Sequence, residues 1–329
     1  MSATAGAAGL PPPPPLVDAH HHLWDLGRHR YPWLQDAVEP GFFLGDYAPL
    51  RRDYLPADYR VDTARQRVLA TVHVEAERAR DEQLGETAWL HEVQARHGFP
   101  NAVVAHAWFH RPDCAEILAA QAAFPLVRGI RSKPATAATP DAARPRGEGS
   151  MRDEAWLRGY ALLERHGLSW DLRVPWWHLE EAAGVARLFP RTPVVLNHTG
   201  FPWDRSAAGL AAWRRAMEAL AREPNVHVKV SELGLRDAPW TVASNREVVL
   251  DTIRIFGMER CMFASNFPVA GLRIGYDALV AAMQDILAPF TPSQRDAFFR
   301  RNALAFYRIA LPDDLPNDTG DTPCNDVSP

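Results

Sequence analysis

The chain has 329 residues, of which 47% are hydrophobic and 23% charged, with a formal net charge of −4. That balance excludes a disordered polymer, and the charge excludes a general electrostatic footprint for nucleic acid or an anionic membrane surface. No apolar run approaches the roughly 20 residues that a bilayer-spanning helix needs.

Residues 1–15 end in five consecutive prolines, which favour an extended polyproline tail over a packed element. The opening has no basic start followed by an apolar core, so it does not read as a secretory leader. Residues 312–329 are polar, acidic and broken by Pro and Gly, and read as a second tail. Residues 16–311 form one domain. Cys114, Cys261 and Cys324 are odd in number and lie far apart without a CxxC pair. A reducing cytoplasm is therefore expected rather than a disulfide framework.

Within the domain, eight short β-rich runs are bounded by Gly, Pro, Asn or Asp. They are Leu16–His20, Val68–Glu75, Ala102–Ala107, Leu126–Arg131, Leu168–Val174, Val194–Asn197, Val226–Ser231 and Cys261–Ala264. Helical stripes separate most of them: Trp89, Leu90 and Val93; then Leu210, Trp213, Met217 and Leu220; then Leu279, Val280, Met283, Ile286 and Leu287. Eight strands alternating with helices predict a parallel sheet closed into a (β/α)8 TIM barrel. No GxGxxG follows an early strand, which weighs against a doubly wound open sheet. Two connections are unusually long, one from Leu23 to about Arg67 and one from about Pro134 to Arg152. Loops after barrel strands surround the active site, so both are candidate lids or binding loops.

Chemistry gathers at the predicted strand ends. In Val17-Asp18-Ala19-His20-His21-His22, the i, i+2 spacing points His20 and His22 to one spot and His21 away. Two imidazoles so placed bind one metal ion or one anionic oxygen. His198 ends the sixth strand in Leu196-Asn197-His198-Thr199-Gly200. Alternation puts Thr71, His73 and Glu75 on one face of strand 2. It likewise groups Ser169, Asp171 and Arg173 on strand 5, and His227, Lys229 and Ser231 on strand 7. These polar faces are expected to point into the barrel. Lys133 and Lys229 are the only lysines in an arginine-rich chain, which singles both out.

The stretches VDAHHHLWDL, LRRDYLPADYR, TVHVEAE, LVRGIRSKP, LNHTG, NVHVKVSELG and RCMFASNFPV, in this order, resemble the amidohydrolase superfamily. The closest likeness is to the amidohydrolase-2 group of sugar-acid and pyrone dicarboxylate lactonases. The resemblance implies a (β/α)8 barrel that opens a lactone or related cyclic ester by water attack. His20, His22 and His198 match the group's histidines, and Glu75 matches a position where relatives place an acid. A single divalent metal, Zn2+ or another, is implied on His20, His22, His198 and Glu75, although some members work without one. The strand-8 turn departs from the pattern: Asn266 stands where relatives usually carry a metal-binding, water-activating aspartate. An amide takes up no proton near neutral pH. Glu75 and Asp171 are then the alternative bases, with Glu232 third, and Asn266 is left to orient water or substrate; equally, these acids can form buried ion pairs with Arg173, Lys229 and Arg131.

Arg131, Lys133 and Arg173 lie at strand ends, where they suit a small substrate carrying a carboxylate or lactone. Trp24 and Trp176 lead a set of loop aromatics fit to stack on a ring. No nucleic-acid or membrane partner is expected, and a homo-oligomer is left open. Two other readings compete. One is a metal-free isomerase or decarboxylase on the same barrel, prompted by Asn266. The other is a non-catalytic barrel that binds a small acid.

Overall fold

The computed structural model describes residues 13–311 apart from residue 237; the sequence-defined tails fall largely outside that range. Eight parallel strands follow one another around the sheet in chain order. They are β1 (Pro15–His21), β2 (Arg67–Val74), β3 (Ala102–Ala105), β4 (Val127–Ile130), β5 (Ser169–Leu172), β6 (Val194–Leu196), β7 (Val226–Val230) and β8 (Cys261–Phe263). All eight expected strands are present. Most are shorter than expected because the chain leaves the ladder before Glu75, Arg131, Arg173 and Ser231. Those residues therefore sit on the loops that crown the barrel, where this fold keeps its chemistry.

The helices form where the stripes lie. Gln83–His97 buries Trp89, Leu90 and Val93 and stops at Gly98, whose φ of 80° supplies the left-handed cap. Ala207–Ala221 begins at a Ser206 cap and buries Leu210, Trp213, Met217 and Leu220. Tyr276–Ile286 buries Leu279, Val280, Met283 and Ile286. Among the described residues no helix is long and apolar enough to cross a membrane.

Two apolar layers result. The larger lies between sheet and helices; the smaller fills the barrel with Val17, Ala19, Val72, Val74, Val104, Val195 and Met262. Phe306 and Tyr307, from the helix Asn302–Tyr307, plug that interior. On β2 this reverses the expected orientation. Val72 and Val74 point inward, and His73 packs outside the ladder against His21. Both faces of β2 are buried, so alternation alone gives no inside and outside there. On β5 and β7 the polar faces do point inward, and Lys229 Nζ meets Asp171 Oδ1 at 2.5 Å.

The barrel closes where the ladder is weakest. β1 and β8 share no extended pairing; they are joined beyond the end of β8, where His22 N donates to Phe267 O at 2.8 Å and Asn266 N to His20 O at 2.7 Å. Buried Asp18 holds this seam. It accepts from Ser265 N (2.9 Å), Ser265 Oγ (2.6 Å), Tyr59 OH (2.9 Å) and Tyr276 OH (3.2 Å). Asp18→Ala strands these donors in a dry layer. It should cost on the order of 3 kcal/mol, read as a lower urea midpoint.

Candidate active site

The strand pairing of β1 with β2 slips between Asp18 and His21. Such a slip resets which side chains share a face. Asp18 accordingly meets Tyr59 and Tyr276 outside the sheet. His20 and His22 turn toward the barrel mouth with their Nε2 atoms 3.2 Å apart. His21 lies outside, its Nε2 3.0 Å from Thr71 Oγ1 and its ring against Tyr59. His198, in the turn after β6, sets its ring 4.7 Å from that of His20, centroid to centroid. Its Nδ1 is 2.8 Å from Ser231 Oγ.

The tautomer of His22 follows from its partner. A carbonyl only accepts, so Nδ1 carries the proton and donates to Val74 O at 2.7 Å. The lone pair is then on Nε2, facing His20 Nε2 and, at 3.2 Å, Asn266 Oδ1. Burial holds all three imidazoles well below their ordinary pKa. It is reinforced by Lys229 at His20, by Arg131 at His22 and by Arg173 at His198. At neutral pH they are uncharged donors of lone pairs.

Among the described residues no three His, Cys, Asp or Glu side chains form a ready-made metal shell. The His20–His22 pair nevertheless has the spacing of two ligands on one ion. Nitrogens about 2.0–2.1 Å from a tetrahedral centre stand roughly 3.3 Å apart. Glu75 does not join them. It accepts from Arg131 Nε at 2.5 Å and from Glu77 N at 2.9 Å, and its own carbonyl accepts from Arg131. Burial pushes its carboxyl up, but Arg131 prevails and the net shift is downward. Glu75 is thus the charge partner of Arg131, each of its carboxylate oxygens accepting one hydrogen bond.

Asp171 is likewise occupied. Lys229, Asn197 Nδ2 (3.1 Å) and Tyr307 OH (3.1 Å) surround it inside the barrel, and it does not line the cavity at the mouth. Trp24 is fully buried behind His22, its indole N–H donating to Arg52 O at 2.6 Å, and Trp176 packs beside Trp177. Neither lines the cavity; Trp33 and Trp177 do. Indole area suited these tryptophans to ring stacking, but the neighbouring tryptophan is the one turned inward in each case.

The cavity measures about 440 Å³ and opens over His22, His198 and Asn266. The first long loop covers it with Gly41, Phe42 and Phe43, and the second with Pro134, Thr136, Ala137 and Ala138. Sequence reasoning missed the Phe42–Phe43 pair, although adjacent phenylalanines in a long loop were a visible signal. Three cations reach the cavity. Arg131 is paired with Glu75, and Lys133 with Glu77. Arg173 has no acidic partner among the described residues. It rests against the faces of Phe43 and Phe201 at 5.9 and 5.1 Å. Burial lowers the Arg173 pKa to about 10 and, with Arg173 nearby, the Lys133 pKa to about 7.

A (β/α)8 barrel with histidines gathered at its strand ends and a cationic pocket above them is an enzyme-like site. A family model described as Amidohydrolase matches residues 17–309, and the chain belongs to that family and is a hydrolase. It is 40% identical over 295 residues to protein y4mH of Sinorhizobium fredii, covering 89% of this chain and 98% of that one. It is 28% identical over 316 residues to an L-fucono-1,5-lactonase of Burkholderia ambifaria, covering 90% and 96%. The crystal structure of a Burkholderia multivorans amidohydrolase with bound zinc superposes with a TM-score of 0.74 at 26% identity, covering 90% and 99%.

If Glu75 serves mainly as the counter-charge of Arg131, Glu75→Ala leaves a buried guanidinium unpaired. Stability should fall by about 3–5 kcal/mol in urea unfolding, beyond any loss of turnover.

Proposed function

We propose that this chain hydrolyses a lactone, or a related cyclic ester, of a small acid that carries a carboxylate. The reading is carried by one juxtaposition. The Arg173 guanidinium, with no acidic partner among the described residues, faces the same cavity as His22 and His198, behind which His20 lies. A half-buried cation with no acidic side chain in salt-bridge reach among the described residues is incompletely neutralised, and a ligand carboxylate supplies the counter-charge through a two-pronged hydrogen bond. Lys133, paired with Glu77, lies on the same wall as a hydrogen-bond donor, and the rings of Phe43, Phe201 and Trp177 give a planar ring apolar walls. The lactonase names among the relatives and the zinc in a similar structure support the same reading.

His20 and His22 would hold a single divalent ion, Zn2+ the natural choice for imidazole, with His198 beside them. Such an ion, when bound, polarises a carbonyl and makes water a nucleophile near neutral pH. The chain's own residues do the remaining work. Arg173 and Lys133 fix the acid, the aromatic walls exclude bulk water, and Asn266 presents hydrogen-bonding groups over the histidines. An amide at position 266 also suits a barrel that moves protons without adding water. Product analysis in 18O-water separates the two: ring opening by hydrolysis places the label in the new carboxyl group, whereas isomerisation or decarboxylation does not.

Carboxylate-bearing lactones should be opened faster than neutral ones of the same ring. Arg173→Met should raise KM roughly 10- to 100-fold, the value of a charge-assisted contact, with a smaller change in kcat. Equal turnover of charged and neutral lactones would remove the acid from the proposal. Metal analysis should find about one divalent ion per chain, lost in His22→Ala. Full lactone turnover in metal-free protein would remove the metal.

A further inference from the structure

Asn266 lies between two acceptors. Its Nδ2 donates to Glu232 Oε2, and its Oδ1 faces His22 Nε2 at 3.2 Å. Glu232 directly follows Ser231, the partner of His198, and is buried. Its second oxygen, Oε1, is sealed against Gly234 with no side-chain partner among the described residues. Both residues sit in the left-handed region, Glu232 at φ 45° and Asn266 at φ 56°. Asparagine and aspartate both tolerate that region, so the backbone of this turn does not demand an amide. The neighbour does. A carboxylate at position 266 would meet that of Glu232 at hydrogen-bonding distance, where two like charges cannot both ionise.

We infer that Glu232 is a positioning residue. Its carboxylate holds the Asn266 carboxamide nitrogen and so turns the amide oxygen to the histidine cluster, where it orients the attacking water. The inference deepens the lactonase reading and rests on it for the identity of that water. Asn266 touches the reacting atoms; Glu232 acts through it.

The charge on Glu232 decides which way the amide points. Ionised, it accepts from Nδ2. Protonated, it can donate to Oδ1 and favour the reversed amide. Burial raises its pKa to about 7, against the pull of the Asn266 and Gly234 N–H groups and of two facing cations, Arg173 after β5 and Arg273 after β8. The productive orientation is therefore present above that value and lost as pH falls through it.

The test is an exchange of partners in the full-length, metal-loaded protein. Glu232→Gln meets Asn266 with either end of its own amide. It should lower kcat roughly 10- to 100-fold with little change in KM, and abolish an acidic limb centred near pH 7. Asn266→Asp places two carboxylates together and should also lose kcat. The double variant Glu232→Gln, Asn266→Asp restores an amide–carboxylate pair with the roles reversed, and should recover to within about threefold of the parent. A double variant no better than the worse single one, or a limb that survives in Glu232→Gln, overturns the inference. Lys133 is held in the same pH range, so Lys133→Met should leave this limb in place. A readout free of turnover separates failure here from failure of the lactonase reading. The Asn266 side-chain 15N–1H2 pair, assigned by its loss in Asn266→Asp, should shift with a midpoint near pH 7 in the parent and not in Glu232→Gln. An unchanged signal in the parent overturns the positioning role, even if lactones are hydrolysed.

Discussion

The seam between β1 and the turn after β8 is the constraint on which the site depends. Backbone bonds at His20, His22, Asn266 and Phe267 close the ring there, and Asp18 anchors the turn from the other side of the sheet. The same few residues carry closure and chemistry. Asn266 lies beside His22 because its backbone N–H bonds to His20 O, not because side chains seek one another. The register slip in β1 is equally necessary. Without it, Asp18 and His20 would share a face, and either the anchor or the His20–His22 pair would point the wrong way.

Charge inside the barrel follows one rule at two depths. Lower down, Lys229 and Asp171 neutralise each other, with Tyr307 and Asn197 filling the remaining hydrogen-bond positions. Higher up, Arg131 and Glu75 do the same. Both pairs are complete, and both cations help keep the nearby imidazoles neutral. Arg173 breaks the rule. Its cost is offset in part by two aromatic faces and in part by contact with the open cavity. An incomplete pair at a cavity wall, beside two complete ones, is the feature on which the proposed carboxylate contact rests.

Much of this was legible in the sequence, and the failures have physical causes. Strand positions, the HxH pair and His198 follow from local pattern, because side-chain alternation and strand-end placement are local properties. The orientation of β2 was not legible, since both its faces are buried and Val72 competes with His73 for the interior. For Glu75 and Asp171 the sequence left open a base or a buried ion pair with Arg131, Lys229 or Arg173; the pairings themselves, with partners 56 and 58 residues away, are set by the topology. Trp24 and Trp176 failed for a subtler reason. Composition places tryptophan near the mouth, but the path of the loop selects Trp33 and Trp177 for the cavity wall. Glu232 ranked low because its importance lies in one contact with Asn266, across the gap between two strands.

Backbone strain locates the same centre independently. Outside glycine, positive φ angles occur at Glu77, His198, Thr199, Phe201, Glu232 and Asn266, and elsewhere only at Arg308 among the described residues. The first six follow β2, β6, β7 and β8, and four of them, Glu77, His198, Phe201 and Asn266, line the cavity. Left-handed geometry at a histidine, a threonine, a phenylalanine and a glutamate costs of order 1 kcal/mol or more each, and surrounding packing must over-determine it. Strain of that kind aims side chains in directions that relaxed strand ends do not allow. His198 with its ring toward His20, and Glu232 and Asn266 in contact with one another, all have such backbones. Asn266 and Glu232 thus form one strained, hydrogen-bonded pair of an amide and an acid.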